Sequence, residues 1–267
     1  MAVSDVKLMG VVNVTPDSFS DGGLYLDPQA AIAHGEELAA TGAAILDVGG
    51  ESTRPGAAPV AADEELRRVG PVIAGLAGLG TTISVDTMKA PVAAAALDAG
   101  ASVVNDVTAL RGDPEMAALV AERGAGLVLM HMAGEPRTMQ DHPPDYGGDV
   151  VGAVRDFLAE RLAAAVAAGV EEERIWLDPG IGFGKTDPDN FALLRGLPEL
   201  AALGRPLVVG TSRKSFIGRT DGSAADERLG GTIATSVLAA AAGAAVLRVH
   251  DVAEMDQALR VAASVLG

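Results

Sequence analysis

Eight short apolar runs of the sequence each end in polar residues whose types could do chemistry. These ends are Asn13, Asp47, Asp86, Asn105 with Asp106, His131, Asp178, residues 211–214 (TSRK) and residues 248–251 (RVHD). A single Asp or Asn at such a place can simply cap a helix or satisfy a loop, and we favour such a structural role for Asp47 and Asp106. Eight polar ends of such varied type together favour one functional site.

Three of these residues could bind a heterocyclic ring. Asp86, Asn105 and Asp178 offer carboxylate and amide oxygens and one amide donor. A buried carboxylate needs partners, because its ionised form is costly to bury alone. Adjacent N–H donors on a heterocycle would supply paired, charge-assisted hydrogen bonds to it.

Other residues suit an anionic group. Four basic or imidazole side chains could hold a phosphate or a carboxylate: Arg54, Lys214, Arg248 and His250. Asn13 offers an oxygen ligand that suits Mg2+, a cation that keeps several waters and relies on substrate phosphates for further ligands.

Motifs of other site classes fail on inspection. Gly184-Lys185-Thr186 resembles the end of a phosphate-binding P-loop, but that motif needs glycine at position 179, where Pro179 stands. The dinucleotide pattern that would start at Gly180 and Gly182 needs glycine at 185. The four histidines show no metal-ligand spacing, and the chain has no Gly-x-Ser-x-Gly nucleophile motif.

Composition narrows the partners and the compartment. The 267 residues carry a formal net charge of −16, which disfavours nucleic acid and anionic membrane surfaces. The absence of cysteine excludes disulfides, thiolate zinc sites and a cysteine nucleophile, and it fits the cytoplasm. We see neither a signal peptide nor a membrane span, because the longest apolar stretch, 233–247, is short and alanine-rich.

The apolar runs predict eight β-strands. They lie near residues 6–14, 43–48, 82–86, 102–106, 126–131, 174–178, 206–211 and 245–250. Near-continuous Val and Ile runs suit strands buried on both faces of a parallel sheet. Alanine-rich helical segments separate them, so we predict an α/β fold: a single-domain (β/α)8 TIM barrel over residues 1–267, with its site at the carboxyl ends of the strands. An open doubly wound sheet is the alternative, but it usually shows a glycine fingerprint after the first strand.

Local signals mark the helices and the loops. Asp-Pro pairs at 27–28, 113–114 and 187–188 predict helix starts, with Asp as the N-cap residue. Gly42, Gly100 and Gly169 stand where helices should end. The loops after the first, second and fifth strands are the long ones, and we expect substrate contacts there.

Six segments of the chain carry more specific motifs. They are residues 9–23 (MGVVNVTPDSFSDGG), 47–56 (DVGGESTRPG), 84–87 (SVDT), 177–185 (LDPGIGFGK), 212–218 (SRKSFIG) and 248–251 (RVHD). In order, and over nearly the whole chain, they resemble the dihydropteroate synthase family of pterin-binding enzymes. The resemblance implies a transferase of folate biosynthesis that condenses 6-hydroxymethyl-7,8-dihydropterin diphosphate with 4-aminobenzoate. It also implies a (β/α)8 barrel, a homodimer, Mg2+ and sensitivity to sulfonamides.

The resemblance further implies roles for individual residues. The pterin would be bound by Asp86, Asn105, Met130, Asp178, Phe183 and Lys214. The 4-aminobenzoate would be bound by Phe19, Thr53, Arg54, Pro55 and Ser215. The diphosphate would be bound by Asn13, Arg248 and His250, with Asn13 also a ligand of Mg2+. The catalytic residues would be Asp21, Lys214, Arg248 and His250.

The implied reaction is SN1-like and needs no protein nucleophile. Diphosphate leaves, the dihydropterin ring shares the methylene cation, Asp21 stabilises it under a closed first loop, and the aromatic amine attacks. Two rivals stay open: a pterin-dependent methyltransferase barrel, and a pterin-binding paralogue without catalysis. Asn13, Arg248 and His250 argue against the second, since a mere binder has less use for a diphosphate site.

Overall fold

Eight parallel β-strands close into a barrel in sequence order. The protein is described by a computed structural model that covers residues 2–15, 27–54, 56–135 and 137–266. The strands are β1 (Lys7–Asn13), β2 (Ile45–Gly49), β3 (Thr82–Asp86), β4 (Val103–Asp106), β5 (Gly126–Met130), β6 (Ile175–Asp178), β7 (Leu207–Val209) and β8 (Ala244–Val249). Each strand pairs with its neighbours in parallel, and β8 pairs with β1 to complete the ring. The predicted (β/α)8 barrel is confirmed.

Helices follow the strands and surround the barrel. They are α1 (Pro28–Ala40), α2 (Ala62–Leu76), α3 (Ala90–Asp98), α4 (Met116–Arg123), α5 (Val150–Ala167), α6 (Asp187–Arg195), α7 (Leu197–Ala201), α8 (Ser215–Asp221), α9 (Leu229–Ala241) and α10 (Val252–Leu266). The simple repeat of one helix per strand is wrong in two places within the described residues, because α7 follows α6 directly and α8 precedes α9. The long loops follow β1, β2 and β5, as expected.

The predicted helix starts at Asp27 and Asp187 have different outcomes. The Asp27 side chain accepts a hydrogen bond from the Gln29 backbone N–H at 3.0 Å, so the N-cap prediction for α1 is confirmed. For α6 the prediction is one residue late. Thr186 is the N-cap residue, and its hydroxyl and the Asp189 carboxylate each bond the other's backbone N–H in a capping box.

The third predicted start, at Asp113, is wrong. Helix α4 begins only at Met116, and its N-cap residue is Glu115. The Asp113 carboxylate accepts from two backbone N–H groups: that of Glu115 at 3.0 Å, in its own turn, and that of Ala90 at 2.8 Å, at the start of α3. Short-range signals cannot show the second bond, because Ala90 lies on another element. The three predicted helix-ending glycines do follow α1, α3 and α5 in the left-handed region, with φ of 120°, 118° and 98° for Gly42, Gly100 and Gly169.

Two apolar layers hold the barrel together. The larger one lies between the outward faces of the strands and the helices. The smaller one contains buried residues of strands only, and it fills the barrel interior: Met9, Ile45, Val103, Val128, Val208 and Val246. Because this inner layer blocks the axis of the barrel, a ligand has to bind at an end rather than pass through.

No helix within the described ranges is both long enough and apolar enough to span a membrane.

We predict that the inner layer contributes strongly to stability. Ile45 is 2% exposed there, and Ile45→Ala should lower the free energy of unfolding by about 2–5 kcal/mol, through lost burial and the cavity left behind. Leu79→Ala, at a residue that is 40% exposed, is the control and should change it by about 0.5 kcal/mol or less. Urea unfolding of both variants measures the difference. Equal losses would contradict a packed interior.

Candidate active site

A cavity opens at the carboxyl ends of the strands. The described residues enclose about 380 Å³ there. Nine residues that sequence reasoning assigned to the site line it: Asn13, Thr53, Arg54, Asp86, Phe183, Lys214, Ser215, Arg248 and His250. Asn105, Met130 and Asp178 lie at the ends of neighbouring strands β4, β5 and β6. Three further assigned residues, Phe19, Asp21 and Pro55, lie outside the described residues.

Arg248 connects three strands at the floor of this cavity. Its Nε donates to Asp47 Oδ2 at 2.7 Å, and its Nη2 donates to Asp86 Oδ2 at 3.0 Å. Asn105 Nδ2 donates to the same Asp47 oxygen at 3.0 Å. Asp47 is fully buried, so it has no solvent to satisfy its charge and depends on these donors. Asp47 therefore has a structural role, as favoured from sequence: it fixes Arg248 and Asn105, two residues of the site.

The other residue favoured as structural, Asp106, satisfies a turn. Its carboxylate accepts from the backbone N–H groups of Thr108 and Leu110, at 2.8 and 2.7 Å, and from the Thr108 hydroxyl at 2.6 Å. These bonds hold the chain directly after β4. They leave Asn105, its neighbour on the strand, as the residue of β4 that joins the Arg248 network.

Burial shifts the acidity of both candidate pterin carboxyls. Burial raises the pKa of Asp86 to about 7, although the Arg248 guanidinium acts in the opposite direction. Burial likewise raises the pKa of Asp178 to about 6, against the stabilising hydrogen bond that its Oδ1 accepts from the Gly180 N–H at 2.7 Å. Both groups can therefore change protonation near neutral pH when a charged or hydrogen-bonding ligand arrives.

The glycine-rich loop after β6 is held by a buried lysine. Lys185 is 1% exposed, and its Nζ donates to the carbonyls of Gly180, Phe183 and His131 at 2.8, 3.0 and 3.2 Å. The loop has room only for glycine at position 180, where φ is +66° and a Cβ would lie 1.9 Å from the His131 carbonyl oxygen. Lys185 thus fixes the loop that carries Phe183 to the cavity.

His131 also lies against this lysine. Its Nδ1 is 2.9 Å from Lys185 Nζ, and its ring packs edge-on against Phe157. Burial, and then the Lys185 charge, lower the pKa of His131 to about 3, so the ring is neutral. Burial lowers the pKa of Lys185 to about 7. Sequence reasoning read His131 as a polar strand end and rejected Lys185 as a P-loop residue, and only the fold shows them as a pair.

Lys214 lies over the ring of Phe183. Its Nζ is 3.9 Å from the ring centroid, a cation–π geometry. Burial, with Arg248 as the next contribution, lowers the pKa of Lys214 to about 8. Phe183 also packs against a cluster of buried apolar side chains that includes Met130. An aromatic face, a flexible thioether and an ammonium together suit a flat polar ring.

The segment after β7 is held in an unusual backbone conformation. Arg213 has φ of +57°, which a non-glycine residue seldom adopts. Its guanidinium forms two hydrogen bonds with the Asp251 carboxylate, and its backbone N–H donates to Thr232 Oγ1 at 2.9 Å. Contacts from Thr232 on α9 and from Asp251, two residues after β8, thereby fix the position of Lys214, which follows Arg213 in the chain.

His250 lies at the end of β8, beside Ser212. Its Nδ1 is 2.9 Å from Ser212 Oγ. Burial, and then the positive charges of Arg248 and Arg213, hold the pKa of His250 well below its ordinary value. Sequence reasoning assigned His250 but not Ser212, because a serine in a polar segment gives no sign of its partner.

A second charged cluster supports the loop after β2. Lys89 forms ion pairs with Glu51 and with Glu65, and Glu65 is fully buried on α2. Burial raises the pKa of Glu65, while the hydrogen bond from Lys89 opposes that rise. Glu51 lines the cavity, so the loop that contains Thr53 and Arg54 is anchored on one side by this cluster.

A metal would find few protein ligands here. Within the described ranges, no three His, Cys, Asp or Glu side chains are grouped to hold an ion. Asn13, at the end of β1, lines the cavity with one amide oxygen. That donor set fits Mg2+ bound mainly through water and substrate phosphates, and it does not fit a metal that needs a full protein cage.

Comparison with known proteins gives consistent results. The "Pterin binding enzyme" family profile matches residues 9–250. A dihydropteroate synthase of Mycobacterium leprae is 49% identical over 98% of this chain and 94% of its own length. A Xanthomonas albilineans dihydropteroate synthase with 4-aminobenzoic acid superposes with a TM-score of 0.92 at 48% identity, over 100% of this chain and 95% of that one. The Yersinia pestis dihydropteroate synthase with a sulfonamide drug gives 0.95 at 40%, over 100% and 96%.

We predict that removing the Asp178 charge makes the ligand-free protein more stable at neutral pH. The folded-state pKa of about 6 lies above the ordinary value of 3.8, so ionisation lowers the free energy of unfolding as pH rises from about 4 to 6. Asp178→Asn removes that loss. Its free energy of unfolding relative to wild type should rise by about 2 kcal/mol between pH 4 and pH 7.

Denaturant unfolding at several pH values measures this difference. Asp226→Asn, on an exposed turn, is the control for the amide substitution itself. A difference between Asp178→Asn and wild type that stays constant with pH would show that burial does not shift this carboxyl.

Proposed function

We propose residue roles for a chain that belongs to the pterin binding enzyme family and, within it, to the dihydropteroate synthases. It condenses 6-hydroxymethyl-7,8-dihydropterin diphosphate with 4-aminobenzoate, giving 7,8-dihydropteroate and diphosphate for folate biosynthesis. One observation supports locating the reaction at the strand ends: Asp86, Lys214, Arg248 and His250 line a single cavity, and the buried Asp178 carboxyl at the end of β6 interacts with the charges of Lys214 and Arg248.

The pterin ring would lie across the ends of β3, β4 and β6. Asp178 accepts from Gly180 through Oδ1, which orients its carboxylate to accept N–H groups of the ring edge as well. A carboxylate facing two adjacent donors makes a bidentate, charge-assisted match. Asp86 and Asn105 are register partners on β3 and β4, so they face the ligand from neighbouring strands. Met130, Phe183 and Lys214 would pack on the ring or donate to it.

The diphosphate would lie between β1 and β8. Arg248 and His250 would donate to its oxygens, and Asn13 would be the protein ligand of Mg2+. When bound, the cation would neutralise charge on the diphosphate oxygens and so favour their departure. Arg248 keeps its orientation through its bonds to Asp47 and Asp86, so the guanidinium is positioned before the substrate arrives.

The reaction requires the protein mainly to stabilise charge and to orient the two substrates. The bond between the methylene carbon and the diphosphate oxygen breaks, and the pair of electrons leaves with diphosphate. The dihydropterin ring shares the positive charge left on the methylene group. The amine nitrogen of 4-aminobenzoate then forms the new C–N bond and loses a proton. Asp21 would stabilise the cation, and Lys214, Arg248 and His250 would hold the charged groups in place.

The 4-aminobenzoate pocket would be formed by two loops. Thr53 and Arg54 lie in the loop after β2, and Ser215 opens α8 after β7. Arg54 and the Ser215 hydroxyl suit a carboxylate, which leaves the amine to face the pterin. Phe19 and Pro55 would complete the pocket. A sulfonamide that mimics the amine substrate should compete for the same place.

We predict that purified protein, supplied with the pterin diphosphate, 4-aminobenzoate and Mg2+, forms dihydropteroate and diphosphate in equal amounts. Asp178→Asn should weaken pterin binding roughly 10–100-fold, because the amide cannot accept two donors as the carboxylate does. Calorimetry with 6-hydroxymethylpterin measures the binding, and Asp226→Asn is again the control. No turnover by well-folded protein would contradict the reaction, and unchanged pterin affinity would contradict the role of Asp178.

We also propose a homodimer formed through α9 and α10. These helices pack against each other and expose large apolar side chains: Leu238 at 68%, Val261 at 60% and Val265 at 78%. Their opposite faces bury residues such as Ser236 and Met255 toward the barrel. The alanine-rich stretch 233–242 of α9 therefore has both a packed face and an exposed one. Large exposed apolar side chains on two helices that pack together favour association with a second copy.

We predict that the wild type sediments as a dimer at micromolar concentration. Val261→Glu places a charge on the proposed interface, and should shift the protein to monomer while leaving its helix content unchanged. Leu79→Glu, away from α9 and α10, is the matched control and should leave the dimer intact. Analytical ultracentrifugation measures the masses. A monomeric wild type, or equal effects of both variants, would contradict this interface.

A further inference from the structure

Ser212 makes two contacts with His250. Its Oγ lies 2.9 Å from His250 Nδ1, and it accepts the backbone N–H of His250 at 3.2 Å. Ser212 follows β7 and is 7% exposed, and both residues line the cavity. The serine therefore touches both the backbone and the ring of a residue that we propose binds diphosphate.

The donors and acceptors at these contacts favour one form of the imidazole. A serine hydroxyl has one hydrogen and two acceptor lone pairs. The backbone N–H of His250 can only donate, so it uses one lone pair. Among the described residues, the acceptor that the Ser212 hydrogen reaches is His250 Nδ1. A ring nitrogen that accepts a hydrogen bond carries no hydrogen, so the neutral ring has its N–H on Nε2.

The tautomer matters because this imidazole stays neutral. The site is buried, and Arg248, Arg213, Arg54 and Lys214 all add positive charge near the ring. A neutral imidazole has a single N–H. With that N–H on Nε2 the ring can donate to an anion, whereas the other tautomer would present a lone pair to the same oxygen.

We propose that Ser212 is a positioning residue, which holds the neutral His250 ring in the Nε2–H tautomer so that it can donate to the diphosphate group. The proposal rests on the proposed role of His250 in diphosphate binding. Ser212 itself needs no contact with substrate. It acts by orienting the ring and by placing the ring hydrogen, as a carboxylate or a carbonyl does for many functional histidines.

The tautomer can be measured directly in the ligand-free enzyme. In protein labelled with 15N at histidine, the long-range couplings of ring nitrogens to ring hydrogens distinguish the two tautomers. The signals of His250 are those lost in His250→Gln. We expect the Nε2–H form in the wild type and in Ser212→Thr, which keeps the hydroxyl, and a mixture in Ser212→Ala. An Nδ1–H form in the wild type would overturn the proposal.

The effect on binding is tested with inorganic diphosphate and Mg2+ in a calorimeter. Ser212→Ala should weaken diphosphate binding about tenfold, and Ser212→Thr should restore most of it. The affinity for 6-hydroxymethylpterin, which has no diphosphate, should not change. Ser236→Ala is the matched control, because it removes a buried hydroxyl that bonds Thr211 and does not touch His250. Unchanged diphosphate affinity in Ser212→Ala would overturn the proposal.

His250→Ala separates the two levels of this inference. If it fails to weaken diphosphate binding, the proposed role of His250 is wrong, and the purpose that we give to Ser212 is wrong with it, even if the wild-type spectrum shows the Nε2–H ring. If His250→Ala weakens binding and Ser212→Ala does not, only the positioning role of Ser212 is wrong. Both roles are supported if His250→Ala and Ser212→Ala each weaken diphosphate binding, and if the tautomer changes in Ser212→Ala but not in Ser212→Thr.

Discussion

The pairing of Arg248 with Asp47 and Asp86 is the contact on which the arrangement of the site depends. The guanidinium on β8 bonds carboxylates on β2 and β3, 201 and 162 residues away in the chain. Asp47 is fully buried and Asp86 nearly so, and leaving a buried charge without its partner costs about 3–5 kcal/mol. Only closure of the barrel brings β8 next to β1 and so near β2 and β3. The fold and the charge pairing therefore require each other.

Burial leaves three ionisable groups of the site with pKa values close to neutral pH. Burial brings the pKa of Asp86 to about 7, that of Asp178 to about 6 and that of Lys214 to about 8. A small change in the nearby charge can then decide whether each group is protonated. N–H donors of a pterin ring would favour the ionised Asp178, and an arriving diphosphate would favour the protonated Lys214. In this sense the substrates complete a set of interactions that the protein alone leaves unfinished.

Sequence patterns predict the fold and the identity of the strand-end residues. They do not predict contacts between residues that are distant in the chain. Val-rich runs predict all eight strands to within a few residues, because burial on both faces leaves a signal in each run. Asp113 shows the limit: Asp-Pro looks like a helix start, yet α4 begins only at Met116, and the Asp113 carboxylate bonds Ala90 on another helix as well as Glu115 in its own turn. The same holds for Ser212, whose partner His250 is 38 residues away. Such contacts depend on which strands the barrel places side by side.

The loop after β6 shows how a buried side chain fixes the positions of site residues. Lys185 cannot be interpreted from sequence, because a lysine after glycines usually binds phosphate, whereas here it is enclosed by carbonyls and by a neutral His131. Since burial lowers its pKa to about 7, the unfolded chain keeps the Lys185 proton up to higher pH than the folded one. Burying the charged lysine therefore lowers stability below about pH 7, and that cost is relieved as pH rises. The hydrogen bonds of Lys185 Nζ hold the carbonyls of Gly180 and Phe183 in a fixed position. The Gly180 N–H in turn fixes the Asp178 carboxylate.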